Sequence, residues 1–287
     1  MNTQAHQTGN VVVQAGRVLS GLGLVTAFGH VSHRAGASML ITPAADLAGV
    51  QEADLIEVSL DAGTLPPGAP AEAWAHLAVY AARPDTAAIA RAQPAAAFAA
   101  AAALSGAALS RAGLSRAAQS RAALSGGALP GSALSGGVLP RGAALPARPD
   151  GRMSGADGLP LLYGQACWLG ERVPVHRDAR LLRSAALAQA AVATLGASDA
   201  LLLRGNGALT CAATPGLAVA RMWLLAAACR AWLDAAAAGP VAVLSQAEVE
   251  SWRAVQSELL PRLWEHLSAS VTIPRTRSSS RQGTARG

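Results

Sequence analysis

From residue 107 to 141 the chain repeats with a period of five: AALSR, AGLSR, AAQSR, AALSG, GALPG, SALSG and GVLPR. Such a run either builds a solenoid of its own or interrupts a different fold. Pentapeptide repeats superficially suggest a right-handed β-helix, but seven units complete fewer than two coils, and Pro130 and Pro140 interrupt them. A solenoid that short has too few neighbouring coils to bury its faces. The reading adopted is a low-complexity insert over residues 104–158. The flanking parts, 1–103 and 159–272, then form one body, followed by a disordered basic tail at 273–287.

The insert also changes how the charge is read. The 287 residues carry 23 basic groups, all Arg, against 17 acidic ones, a formal +6. Arg111, Arg116, Arg121, Arg141, Arg148 and Arg152 fall in the insert, and Arg275, Arg277, Arg281 and Arg286 in the tail; only Asp150 and Asp157 accompany them. Removing these segments leaves 23 − 10 = 13 Arg against 17 − 2 = 15 acids, a formal −2. A basic total normally points to nucleic acid or an anionic surface. Here the folded body is mildly acidic, and no specific nucleic-acid partner is expected. With 52% hydrophobic residues there is enough to bury a core of one large or two small domains. No N-terminal targeting pattern is evident. The apolar run 216–239 is interrupted by Arg221, Arg230 and Asp234, costly residues in lipid. The expectation is a cytoplasmic chain with no membrane span and with Cys167, Cys211 and Cys229 as free thiols.

Short β-like runs alternate with helical ones along the body. A helix over 4–25 carries an apolar stripe through Val12, Val13, Ala15, Val18, Leu19 and Leu22. Val31–Arg34 and Ser38–Ile41 read as a hairpin around Ala35-Gly36-Ala37, Leu55–Leu60 as a strand, and Ala71–Ala82 as a helix stopped at Arg83-Pro84-Asp85. A strand follows at Ala87–Gln93, then a helix from Pro94. Arg172–His176 contains Pro174 and reads as an edge strand. Ser184–Leu195 is helical, and Ala200–Arg204 and Ala208–Cys211 are strands around Gly205-Asn206-Gly207. A long helix starts at Pro215, with Thr214 as its N-cap. The last helix, Ala247–Leu267, would turn Trp252, Val255, Leu259 and Trp264 inward and bend at Pro261. Interleaved strands and helices predict an α/β body of three layers, α/β/α, around a mixed sheet.

Four stretches in this order resemble the class II aldolase/adducin N-terminal family: GHVSHR (29–34) with MLITP (39–43), EAWAHLAVYAARPD (72–85), the strand after it, and LLLRGNG (201–207) before a long helix. The resemblance implies a carbon–carbon lyase, a homotetramer with sites near subunit interfaces, and a zinc held by one Glu and three His. It places Glu72 on the family's Glu, but Arg91 and Gln93 on its His-x-His pair and Asn206 on its last His. A guanidinium cannot ligate zinc and amides are poor ligands, so no metal ligand set is assigned and no cofactor is expected: three of the four positions of the family's zinc are non-ligating here.

Two readings follow from the resemblance. In the first, the chain is a lyase performing aldol cleavage or decarboxylation through an enolate on a small oxygenated metabolite. Glu72 would act as general acid/base and Arg91 as a fixed positive charge in place of the metal. Glu72, Arg91, Gln93 and Asn206 converge, with Gly29, His30, Ser32 and Thr42 as further substrate contacts. In the second, Arg91 and Glu72 neutralise each other across a degenerate pocket, and the chain is a non-catalytic small-molecule binder or structural protein of the same fold. For His30 and His33 the alternative to substrate contacts is a pair of histidines in an exposed turn, and Tyr80 and Trp74 are read as core residues.

Overall fold

In the computed structural model, residues 3–25, 27–106 and 158–271 are described. The five-residue repeats and the basic tail lie outside them. Helix α1 (Thr3–Gly21) precedes an antiparallel hairpin of β1 (His30–Ala35) and β2 (Ser38–Ile41). Gly36 sits in its two-residue loop at φ +62°, a left-handed conformation that glycine adopts without a Cβ penalty. Next come β3 (Ile56–Ser59), α2 (Ala73–Ala82), β4 (Ala88–Ala92) and α3 (Ala95–Gly106). Leu104, placed by the sequence at the start of the insert, is instead buried at the end of α3.

The second part supplies β5 (Gly158–Leu159), β6 (Val173–His176), α4 (Ala185–Leu195), β7 (Ala200–Leu203), β8 (Gly207–Ala212), α5 (Pro215–Ala238), α6 (Gln246–Ala254) and α7 (Gln256–Ser270). The two parts share one mixed sheet in the order β3-β2-β1-β4-β8-β7-β6-β5. β4 pairs antiparallel with both β1 and β8, which joins the halves, and β6–β7 is the parallel pair.

Alternation along the strands divides the core. Ala88, Ala90 and Ala92 of β4 turn to one face, where they meet Val18 and Leu19 of α1 and Met222 and Leu225 of α5. Ile89 turns to the other, with Met39, Ile41, Leu201, Leu203 and Leu209 under Leu77 and Tyr80 of α2 and Leu195 of α4. Small side chains on the first face of β4 let α5 lie close to the sheet. The result is the three-layer α/β/α arrangement expected from the sequence.

Thr214 caps α5 as expected, its Oγ1 accepting the Leu217 amide at 3.3 Å, with Pro215 in the first turn. Among the described residues, α5 is the one helix long and apolar enough to cross a membrane, yet more than half of that stretch is buried in the protein. Arg221, on that helix, is 7% exposed and pairs with Asp199.

Three expectations are corrected. Val173–His176 is not an edge strand: it lies between β5 and β7. Pro174 stands opposite Gly158 of the two-residue β5 and precedes the Val175–Leu202 and His176–Leu203 pairing with β7. The C-terminal helix is two helices broken at Val255, whose ψ of 5° leaves the helical range, and Pro261 sits within α7 rather than at the bend. The break changes the inward face. Trp252 and Val255 are both 37% exposed, while Val249, Leu260 and Leu267 are buried; Leu259 and Trp264 do pack on the core. Finally, His30 is no turn residue but the buried first residue of β1, 4% exposed.

Candidate active site

Glu72 occupies the residue before α2, at the end of the sheet where β4 finishes and the β7–β8 turn folds over. Three donors fix its carboxylate. The Arg91 Nη2 donates to Oε2 at 3.1 Å, while the Asn206 Nδ2 (2.6 Å) and the Leu182 amide (3.1 Å) donate to Oε1. Asn206 reaches it because Gly205 and Gly207, at φ +69° and +85°, turn β7 into β8 tightly. A Cβ on Gly207 would stand 2.3 Å from the Ala92 carbonyl oxygen, so the turn closes on β4 only with glycine there.

Arg91 is fully buried and points to the α2/α4 side of the sheet, as its alternation with Ala90 and Ala92 requires. Its Nη1 donates to the Ala92 carbonyl at 2.7 Å and, more distantly, to that of Ala208 at 3.5 Å. Its Nε is buried without a partner. Burial pushes the guanidinium below its ordinary pKa, and the charge of Glu72 partly offsets this.

Gln93 does not join this cluster. β4 ends at Ala92, and the Gln93 Nε2 turns away to donate to the Phe28 carbonyl at 2.6 Å, leaving its Oε1 buried and unpaired. Thr42 is equally structural, its Oγ1 accepting the Val31 amide at 3.1 Å. Gly29 packs so tightly that a Cβ would lie 2.1 Å from Val25 Cγ1. His33 lies one residue past Ser32 on the opposite face of β1, and burial lowers its pKa.

His30 and Ser32 share the face of Arg91, since His30 is the cross-strand partner of Arg91. They join a polar track under α2 that the sequence reading missed. Tyr80 OH lies 2.7 Å from Ser32 Oγ, Ser32 Oγ 2.6 Å from His76 Nδ1, and His76 Nε2 2.7 Å from His30 Nδ1. The signal was present: His76 and Tyr80 are four residues apart on one helix face, and His30 and Ser32 two apart on one strand face. Burial, followed by the Arg91 charge, lowers the His76 pKa to about 3. Burial, then His76 and Arg91, holds His30 well below the usual imidazole value.

Among the described residues, no three His, Cys, Asp or Glu side chains come together as a metal-binding group. A groove of about 520 Å³ lies between α2 and α4, but Ala78, Ala81, Gln189 and Val192 line it without a titratable group.

The eight-stranded mixed sheet with its flanking helices has the fold of a class II aldolase. The family of class II aldolase and adducin N-terminal domains matches residues 10–233, and the chain belongs to it. At the level of family this places it with aldolase-like lyases. Among solved structures it is similar to an L-fuculose 1-phosphate aldolase, with 18% identity, a TM-score of 0.64, and coverage of 88% of this chain and 96% of that one. It is likewise similar to an aldolase II superfamily protein from Pseudomonas syringae (17% identity, TM-score 0.64, 94% of each chain). The L-fuculose-1-phosphate aldolase from Thermus thermophilus is 22% identical at a TM-score of 0.58, with 83% of this chain covering 100% of that one. No curated protein matches the chain.

Proposed function

We propose that the chain is a carbon–carbon lyase acting on a small oxygenated metabolite, by aldol cleavage or decarboxylation through an enolate, without the family's zinc. The observation that carries this reading is the Glu72 carboxylate. It is held in place by three donors, yet its side chain keeps 12% exposure, so it is oriented and still reachable. The donor set does not suit zinc: the guanidinium of Arg91 and the amide of Asn206 stand around the carboxylate and already occupy its oxygens.

In aldol cleavage Glu72 takes the proton of the substrate's β-hydroxyl. The oxygen closes to a carbonyl as the carbon–carbon bond breaks, and that electron pair passes into the enolate of the second fragment. Glu72 then returns the proton to the enolate carbon, which balances the step without a co-reactant. The buried charge of Arg91 offsets negative charge beside it. The test is a screen of retro-aldol and decarboxylation substrates together with metal analysis of the purified protein. Activity that Glu72→Gln abolishes, in protein with far less than one zinc per chain, supports the reading. Activity indifferent to Glu72→Gln, or near-stoichiometric zinc, overturns it.

A second reading, a non-catalytic binder or structural protein, is favoured by one observation. Arg91 is wholly buried and its two terminal nitrogens are committed to Glu72 and main-chain carbonyls. A silent screen combined with thermal stabilisation by hydroxy-carbonyl compounds would select it. A homo-oligomer, a tetramer by resemblance, belongs to either reading. Phe28 and Leu181, 74% and 46% exposed, support it, since each adjoins a main-chain group bonded into or beside the site. Light scattering on the purified chain gives the mass directly.

A further inference from the structure

We infer that His30 presents a neutral N–H, at Nε2, as a hydrogen-bond donor to a substrate oxygen at the Glu72–Arg91 site, its tautomer set by Tyr80, Ser32 and His76 as positioning residues. This deepens the lyase reading and rests on it for the identity of the oxygen, a carbonyl that becomes an enolate oxygen. The tautomer itself rests only on the geometry.

The direction of the hydrogen-bond track decides where the protons sit. Tyr80 has two oxygens within reach: Ser32 Oγ at 2.7 Å and the Ala87 carbonyl at 3.4 Å, which already accepts the Arg34 amide at 2.7 Å. A phenol is a better donor than an aliphatic hydroxyl, and the Arg34 guanidinium 4.8 Å over the ring strengthens it as a donor. The Tyr80 proton therefore goes to Ser32. Ser32 then has one proton to give and gives it to His76 Nδ1. With Nδ1 accepting, neutral His76 carries its proton on Nε2 and donates to His30 Nδ1. With that nitrogen accepting too, neutral His30 holds its single proton on Nε2.

Nε2 of His30 makes no hydrogen bond to any described residue, yet it is not among the buried unpaired atoms, so the small exposure of His30 includes it. His30 stands directly across the strand pair from Arg91, whose charge opposes a second cation at this point. A neutral imidazole donor stabilises negative charge on oxygen without surrendering its proton, so no acid need be regenerated. It would do part of what a metal does for an enolate oxygen.

The experiment is long-range ¹H–¹⁵N correlation on the full chain at neutral pH, with and without oxalate as an enolate mimic. His30→Gln and His76→Gln assign the rings. Both rings are expected as Nε2–H tautomers, with oxalate shifting the His30 Nε2 resonance. His30→Phe should weaken oxalate binding about tenfold, the scale of one neutral hydrogen bond. Tyr80→Phe, which removes only the first donor, should raise the Nδ1–H fraction of His30. A His30 ring found as Nδ1–H or as imidazolium overturns the inference, and so does oxalate that leaves it unmoved. A silent lyase screen beside an oxalate-responsive Nε2–H sinks the lyase reading alone; activity dependent on Glu72 beside an Nδ1–H ring sinks the donor alone.

Discussion

Two buried arginines sit at opposite ends of the sheet, and each faces a single carboxylate. Arg221 of α5 uses all three of its nitrogens: Nε donates to the Trp168 carbonyl at 3.0 Å, Nη1 to that of Cys211, and Nη2 pairs with Asp199 at 2.8 Å. Asp199 is shared with Arg83, which also donates to the Ser198 carbonyl at 2.6 Å. Arg91 pairs with Glu72 but leaves its Nε buried and unpaired, and His30, its partner across the strand pair, has a ring nitrogen without a partner among the described residues. The first cluster is satisfied, as a structural ion pair has to be. The second retains unused hydrogen-bonding capacity at an accessible carboxylate. Among the described residues, unspent polar groups at the Glu72 end and a fully bonded arginine at the Asp199 end separate a candidate site from a brace.

The comparison is broken most readily at the brace. Asp199→Ala leaves the buried Arg221 and the half-buried Arg83 without their shared partner, and should cost about 3–5 kcal/mol in a urea titration. Glu72→Gln strands only Arg91, which keeps the Ala92 carbonyl, and should cost less, roughly 2–3 kcal/mol by the same measurement. Should Glu72→Gln prove the costlier of the two, the Glu72 pair would be the structural one and the contrast would invert.

The architecture was legible because periodicity carries it: β1 and β2, α2, β4 and α5 fall within a few residues of where apolar spacing, Gly36 and the Thr214 cap place them. The Glu72–Arg91–Asn206 contact was legible only through family spacing, since nothing local in the sequence joins Glu72 to Arg91, 19 residues on, or to Asn206, 134 residues on. What failed, failed for long-range reasons. Whether Val173–His176 is an edge depends on a two-residue strand that no pattern marks. Gln93 lies one residue beyond the end of β4, where alternation no longer fixes a face. His30 looked like a turn histidine because its partner His76 is 46 residues away.

The histidine track gives the next smaller effect. His76 titrates near 6.5 when unfolded and about 3 when folded. Between these values the unfolded chain binds the extra proton, so stability falls as pH drops below about 6.5 and is retained above it. One such group contributes about 1.4 kcal/mol per pH unit, roughly 2 kcal/mol between pH 6.5 and 5. His30, depressed in the same direction, adds to the slope. Unfolding free energy measured at pH 7, 6 and 5 checks this, and a flat profile would mean that the pair is already charged in the fold.

The smallest expected change sharpens the boundary of the site. Gln93 is the residue that the resemblance aligns with a ligand of the family's zinc, but it donates only to the Phe28 carbonyl and buries an unpaired Oε1. Gln93→Leu forfeits one hydrogen bond and removes one unsatisfied acceptor, two effects of opposite sign on the order of 1 kcal/mol each. Stability should therefore move by less than about 1 kcal/mol. Oxalate binding and any Glu72-dependent activity should persist, because neither runs through this side chain. A loss of either comparable to that of His30→Phe would put Gln93 back in the site and extend it from the Glu72–Arg91–Asn206 contact to the loop at Phe28.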